Sequence, residues 1–102
     1  MKEEVKLWWE QSEADINSAE HASKAGDYYA AGFWAQQAVE KRLKALILHK
    51  GAEFRKIHDL IKLSEEAHLK LPLELKDFLE ELNLHYLPPR YPDFYEQLKK
   101  IY

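Results

Sequence analysis

The sequence predicts an all-α protein: an antiparallel up-and-down bundle of four main helices, followed by a short C-terminal helical segment. Apolar residues recur at helical spacing along the chain, and no stretch shows the apolar–polar alternation of a half-buried strand. Only three glycines and four prolines punctuate the 102 residues. Short connections between long helices favour antiparallel neighbours. Since 102 residues are enough for a single core and too few for two, we expect one domain over residues 1–102.

Helices 1 and 2 are predicted from their apolar spacing and their end signals. Helix 1 runs from residue 3 to about residue 24 and ends before Gly26. Asp27 can cap helix 2 through its side-chain oxygen, and Gly51 ends helix 2 after about Lys50. The predicted core face of helix 1 consists of Val5, Trp8, Trp9, Ser12, Ile16 and Ala19.

Helices 3 and 4 are shorter. Helix 3 is predicted to begin near His58–Asp59, and Pro72 suits the first turn of helix 4. The three prolines of "LPPRYPD", residues 87–93, prevent helix 4 from continuing, and "FYEQLKKIY" forms a short amphipathic stretch at the C-terminus. The predicted core positions are Leu60, Leu63, Ser64, Ala67 and Leu71 in helix 3 and Leu75, Phe78, Leu79, Leu82 and Tyr86 in helix 4.

A glutamine pair interrupts the apolar side of helix 2. At about 100° per residue, Gln36 lies within the apolar sector, whereas Gln37, Lys41 and Lys44 project from the far side. Two interpretations of Gln36 remain. It is either a buried amide hydrogen-bonded to a neighbouring helix, or a polar contact across a subunit interface to which small residues such as Gly32 give close access.

Composition narrows the function. A formal net charge of −3 argues against a general polyanion binder, and the abundant acidic residues are expected to be solvated. With no cysteine there is no disulfide or thiolate site, which fits a reducing cytoplasm. No apolar run approaches the roughly 20 residues needed to cross a bilayer. The five histidines show no metal-ligand spacing. We therefore expect a cytoplasmic protein without metal, cofactor or membrane contact.

Alternating helix directions would gather basic residues at one end of the bundle, where helix 3 begins. Helix N-termini and Arg side chains hold phosphate, although charges near helix ends are also commonly solvated. The residues that would collect there are Lys2, Lys6, His49, Lys50, Arg55, Lys56, His58 and Arg90.

Three motifs together resemble the HEPN family of small helical domains. They are "AQQAVEKRLKAL" in helix 2, "IHDL" at the start of helix 3 and "YLPPRYPD" after helix 4, in the family's order and spacing. The resemblance extends from helix 1 to about Asp93. It implies a dimeric helical bundle that is commonly encoded beside, or fused to, a minimal nucleotidyltransferase, often in toxin–antitoxin modules. Nucleotide binding is proposed for this branch, and ribonuclease activity characterises other branches.

Two functions stay open on this basis. The first is a non-catalytic binding module, a dimer that binds a nucleotide or RNA or pairs with a nucleotidyltransferase. Its candidate nucleotide- or phosphate-binding residues are Arg90, Tyr91, His58 and Lys56. The second is a metal-independent ribonuclease, in which His58 would work with Arg90.

One departure weighs against the ribonuclease. The ribonuclease branches carry an Arg followed, after four to six residues, by a His. No histidine follows Arg90 in this sequence. The formal match from Arg42 to His49 lies within helix 2, away from the family's usual location.

Assembly and capping supply the last expectations. Trp8, Trp9, Phe33 and Trp34 exceed what one small core needs, which predicts a two-fold homodimer through helices 1 and 2 or the terminal segment. The candidate interface residues are Trp8, Trp34, Gln36 and Gln37. Asp59 is predicted to stabilise the start of helix 3, and His58 either hydrogen-bonds a nearby loop carbonyl or binds a ligand.

Overall fold

The computed structural model describes residues 2–53 and 57–84, and this part of the chain contains four helices and no strand. The helices are α1 (Glu3–Lys24), α2 (Tyr28–His49), α3 (Leu60–Glu66) and α4 (Leu73–Leu82). The all-α prediction is confirmed. Tyr86 and the predicted C-terminal segment at residues 94–102 lie outside the described residues.

The predicted ends of the long helices are confirmed. Gly26 and Gly51 close α1 and α2 with left-handed backbone, at φ values of +79° and +84°, which glycine adopts without steric cost. Asp27 caps α2 by accepting a hydrogen bond from the Ala30 N–H at 3.1 Å. Pro72 is the cap residue just before α4 rather than part of its first turn.

α2 is the central helix, because each of the other three helices contacts it. α1 lies antiparallel to α2. Lys41 of α2 pairs with Asp15 of α1, and the next residue, Arg42, pairs with the earlier Glu13, so the residue number falls along α1 as it rises along α2. The predicted core positions of α4 are buried, and Trp8 and Trp9 of α1 are half-buried. The buried apolar core consists of Ile16, Ala19, Ala31, Ala35, Ala38, Val39, Leu43, Ile47, Leu60, Leu63, Ala67, Leu75, Phe78, Leu79 and Leu82.

The direction of α3 differs from the prediction. The Gln36 amide donates to the His58 carbonyl at 3.3 Å, so the chain enters α3 beside the middle of α2. The Lys50 ammonium donates to the Ala67 carbonyl, so α3 ends beside the end of α2. Gln36 and Lys50 are about 21 Å apart along the helix axis. α3 therefore runs in the same sense as this half of α2, and strict up-and-down alternation is wrong here.

The length of the connection explains the difference. The stretch from Lys50 to His58 can span about 26 Å when extended, which is enough to return along α2 before α3 begins. The predicted basic end is divided as a result: His58 lies beside the middle of α2, whereas Lys50 lies near the end of α3.

A pair of side chains joins the start of α3 to the end of α4. Asp59 Oδ1 accepts from the backbone N–H groups of Ile61 at 2.9 Å and Lys62 at 3.4 Å, which confirms the predicted cap. The same oxygen accepts from the Asn83 amide at 3.1 Å, and the Asn83 oxygen accepts from the Leu60 N–H at 2.9 Å. We call Asp59 and Asn83 the α3 clamp.

Replacing Asp59 with alanine should lower the free energy of unfolding by about 1–2 kcal/mol, because the change removes a helix cap and leaves the Asn83 amide without its carboxylate. Urea denaturation followed by circular dichroism measures the effect. Asp27→Ala, which removes a more exposed cap with a single hydrogen bond, should cost less. Equal stability of Asp59→Ala and wild type would contradict the capping role.

Candidate functional site

A buried polar network lies on α2, on the side that the α3 entry approaches. The Glu40 side chain is 6% exposed and contacts three nitrogen-bearing groups. Its Oε1 lies 3.2 Å from the Gln36 amide nitrogen and 2.9 Å from His58 Nδ1, and its Oε2 lies 3.1 Å from Lys44 Nζ. Gln36, Glu40, Lys44 and His58 are called the Glu40 network below.

The spacing of these residues explains their meeting. Gln36, Glu40 and Lys44 are four residues apart, so their side chains stack on one face of α2. Lys44, which was predicted to project from the far side of helix 2, is buried, with its side chain 8% exposed. The expectation that the acidic residues are solvated is wrong for Glu40 and Asp15. Because three helices surround α2, they bury polar residues outside its main apolar sector as well as those within it.

Gln36 follows the first of its two predicted interpretations. It is 3% exposed, and its amide nitrogen bonds Glu40 and the His58 carbonyl. Its amide oxygen accepts from the Gln37 amide at 3.0 Å. Gln36 is therefore bonded inside the subunit, and its place in a subunit interface stays a prediction.

His58 combines a fixed ring with an exposed position. Its side chain is 79% exposed, although Nδ1 is held by the buried Glu40 carboxylate. The predicted bond from its ring to a loop carbonyl is replaced by this contact, and the carbonyl of His58 itself accepts from Gln36. An open groove passes His58 and follows α3. The described residues that line it are Ile57, His58, Asp59, Lys62, Glu65, Glu66 and His68.

The start of α3 is not an open phosphate site. Asp59 and Asn83 accept from the N–H groups of Leu60, Ile61 and Lys62, so these donors are already used by the α3 clamp. Of the predicted phosphate-binding residues, only His58 lies in the described part of the chain. The others, Lys56, Arg90 and Tyr91, lie outside it.

The formal Arg42–His49 match does not form a site. The Arg42 side chain is 4% exposed, forms an ion pair with Glu13, and lies 4.3 Å from the centroid of the Trp9 ring. His49 is exposed at the end of α2. Since the guanidinium is committed to the α1–α2 contact, it is not presented to a substrate.

Aromatic side chains form a separate exposed surface near the start of α2. Tyr29 is 74% exposed, and Phe33 and Trp34 are exposed with their rings 5.2 Å apart in an edge-to-face arrangement. Partly exposed Gln37 falls in the same sector of the helix. Tyr29, Phe33, Trp34 and Gln37 are called the α2 aromatic surface. The other interface candidate, Trp8, lies apart from it, half-buried with its ring centroid 5.4 Å from Lys44 Nζ.

Across residues 2–53 and 57–84, no three or more His, Asp or Glu side chains are placed to hold a metal ion. Within the same ranges, no helix has both the length and the apolar character required to cross a bilayer.

The four helices and the polar network on α2 define a small helical-bundle domain. A sequence model of the HEPN domain matches residues 5–101, and the chain belongs to the HEPN family. A relative from Methanocaldococcus jannaschii, named "Putative toxin MJ1304", is 31% identical over an alignment 101 positions long, and the match covers 89% of this chain. The matched region is 65% of that relative's length, so the chain spans less than two thirds of it.

Two solved structures share the fold. The crystal structure of TT1696 from Thermus thermophilus is 28% identical with a TM-score of 0.71, over 95% of this chain and 89% of that one. ST0689, described as an archaeal HEPN homologue, is 29% identical with a TM-score of 0.66, over 95% of this chain and 84% of that one.

Sequence reasoning identified His58 and missed Glu40 and Lys44. The available signal was the polar residue at every fourth position of α2, from Gln36 through Glu40 to Lys44. Such a row on a helix with three neighbours indicates a buried network rather than a solvated stripe.

Lys44→Met should lower the free energy of unfolding by about 3 kcal/mol, because it leaves the buried Glu40 charge without its ammonium partner. Chemical denaturation is the measurement. The matched control is Lys6→Met. It breaks an ion pair of the same spacing, Lys6–Glu10, whose side chains are more than half exposed, and should cost less than about 1 kcal/mol. Equal losses in the two variants would show that burial of the Lys44 pair carries no extra cost.

Proposed function

We propose that this HEPN domain is a binding module of a toxin–antitoxin-like system, which acts as a homodimer and takes up a nucleotide or RNA at His58. The observation that carries the proposal is the exposed His58 imidazole, held 2.9 Å from the buried Glu40 carboxylate. A solvated surface histidine needs no such support. Burying an ion pair such as Glu40–Lys44 costs several kcal/mol per ion in desolvation, and apolar replacements are often at least as stable. The need to hold His58 in an exposed position would explain why the chain keeps this buried ion pair despite its desolvation cost.

Three residues outside the described ranges complete the proposed site. Arg90 is suited to bidentate contact with phosphate, Tyr91 to stacking on a base, and Lys56 to adding positive charge. His58, whose side chain is 79% exposed, would supply a directional hydrogen bond to the ligand.

The proposed cellular setting comes from the family. The Methanocaldococcus jannaschii relative is named "Putative toxin MJ1304". The resemblance to HEPN proteins of toxin–antitoxin modules implies a minimal nucleotidyltransferase encoded nearby. We propose such a nucleotidyltransferase as the partner protein.

A second function is supported by the same contact. A carboxylate that orients an imidazole is the arrangement by which histidine transfers protons in many hydrolases. With Arg90 to stabilise the developing phosphorane charge, His58 would then cleave RNA without a metal.

His58→Ala should weaken the binding of a fluorescein-labelled oligoribonucleotide by about tenfold, the effect of losing one charge-assisted hydrogen bond. Fluorescence anisotropy at fixed salt gives the affinities, with ATP as a competing ligand. His49→Ala removes an exposed histidine at the end of α2 and should bind as wild type does. If His58→Ala keeps the affinity of wild type, His58 is not part of the binding site.

Incubation with labelled RNA in EDTA separates the two functions, and we expect binding without cleavage. Denaturing gels resolve any products. If wild type cleaves the RNA and both His58→Ala and Arg90→Lys abolish cleavage, the ribonuclease is the correct assignment. Arg90→Lys keeps the charge and loses the forked guanidinium, so it tests the geometry of the phosphate contact.

Light scattering at tens of micromolar should give the mass of a dimer, because the α2 aromatic surface exposes neighbouring rings of a kind enriched at subunit interfaces. Trp34→Glu should give a monomer with unchanged helix content. Leu73→Glu, which places the same charge at an exposed apolar position at the start of α4, should leave the dimer intact. A wild-type monomer would rule out the assembly, and a dimeric Trp34→Glu would place the interface elsewhere.

A further inference from the structure

The hydrogen bonds of the Glu40 network determine where His58 carries its proton. Glu40 contacts two donor groups, the Gln36 amide and the Lys44 ammonium, and a third nitrogen, His58 Nδ1, whose role depends on the tautomer of the ring. An ionised carboxylate has only acceptor sites, so a hydrogen bond over the 2.9 Å from Oε1 to Nδ1 requires the hydrogen to be on Nδ1. The outward-facing ring nitrogen, Nε2, then bears a lone pair whenever His58 is neutral.

The orientation of Gln36 is fixed independently of His58. The Gln37 amide donates to Gln36 Oε1 at 3.0 Å, which leaves the Gln36 NH2 group to face Glu40 and the His58 carbonyl. The reverse orientation would place an amide oxygen against the Glu40 carboxylate, two acceptors in contact. α2 therefore holds His58 at two points: the backbone carbonyl through Gln36, and the ring through Glu40.

We infer that Glu40 is the positioning residue of the proposed site, which it serves by fixing the Nδ1–H tautomer of His58 and turning Nε2 toward the ligand. The inference rests on the proposed function of His58. In the neutral ring Nε2 accepts a hydrogen bond from a hydroxyl or amino group, and in the charged ring it donates one to phosphate. The opposite tautomer would present a donor in the neutral state, so the position of this proton decides which ligand group His58 recognises.

A purely structural role for Glu40 makes a different prediction. If Glu40 serves only to balance Lys44, its removal together with Lys44 would change stability and leave the His58 tautomer as it was. The tautomer is therefore the decisive readout, because an ion pair that only supports the fold does not control it.

The experiment uses the full chain, uniformly labelled with 15N. Long-range 1H–15N correlation spectra near pH 8, above the range in which histidine ordinarily changes charge, report which ring nitrogen is protonated. His58→Ala identifies the His58 signals. The test variant is Glu40→Leu/Lys44→Met, which removes both buried charges and so avoids leaving an unpaired ammonium. Asp15→Leu/Lys41→Met is the matched control, because it removes another ion pair of α2, in which Lys41 Nζ lies 2.7 Å from Asp15 Oδ2.

Wild type and the control should show the Nδ1–H tautomer, and the test variant should shift toward the Nε2–H tautomer. The test variant should also bind the labelled oligoribonucleotide about tenfold more weakly, as His58→Ala does. An Nε2–H tautomer in wild type, or an unchanged tautomer in the test variant, would overturn the inference. So would unchanged affinity in the test variant when His58→Ala binds weakly. Unchanged affinity in His58→Ala itself would reject the proposed function, and the spectra alone would then decide whether Glu40 sets the tautomer.

Discussion

The buried carboxylate of Glu40 is the constraint on which the local structure depends. An ionised group with 6% of its side chain exposed must have donors around it, and three different parts of the chain supply them. Gln36 and Lys44 come from the turns of α2 before and after Glu40, and His58 comes from the entry to α3. Satisfying one charge thus fixes the point at which the chain returns to α2.

The path of the chain on either side of α3 follows from this point. The Gln36 and Glu40 contacts place the entry to α3 beside the middle of α2, and the Lys50 ammonium holds the Ala67 carbonyl at the other end of α3. The α3 clamp then brings the end of α4 to the same entry. Asn83 at the end of α4 therefore lies beside Asp59 at the entry to α3, although the two residues are 24 positions apart in the sequence.

Local sequence signals predicted the helices and their ends. The direction of α3 and the burial of Glu40 depend on contacts between residues far apart in the sequence, and local signals do not predict them. Gly26, Asp27 and Asp59 were recognisable because caps depend on a residue and its immediate neighbours. The direction of α3 was not, because the chain between Lys50 and His58 is long enough to start α3 either at the end of α2 or beside its middle. The burial of Glu40 was missed because a helical projection shows one apolar sector and does not show how many neighbours surround the helix. His58 was found through the family motif, whereas its carboxylate partner lies 18 residues away in sequence.

The short helix α3 depends on its neighbours for its stability. A helix of seven residues is far below the length at which an isolated helix persists in water, so α3 is stabilised by its contacts with α2 and α4. The ring of His58 sits at the entry to this dependent helix. No partly unfolded form that has lost the α2–α3 contacts would retain the imidazole in place. The site is consequently lost whenever the contacts between α3 and α2 open. In amide hydrogen exchange, the N–H groups of α3 should be protected by no more than the free energy needed to break the contacts of α3 with α2 and α4.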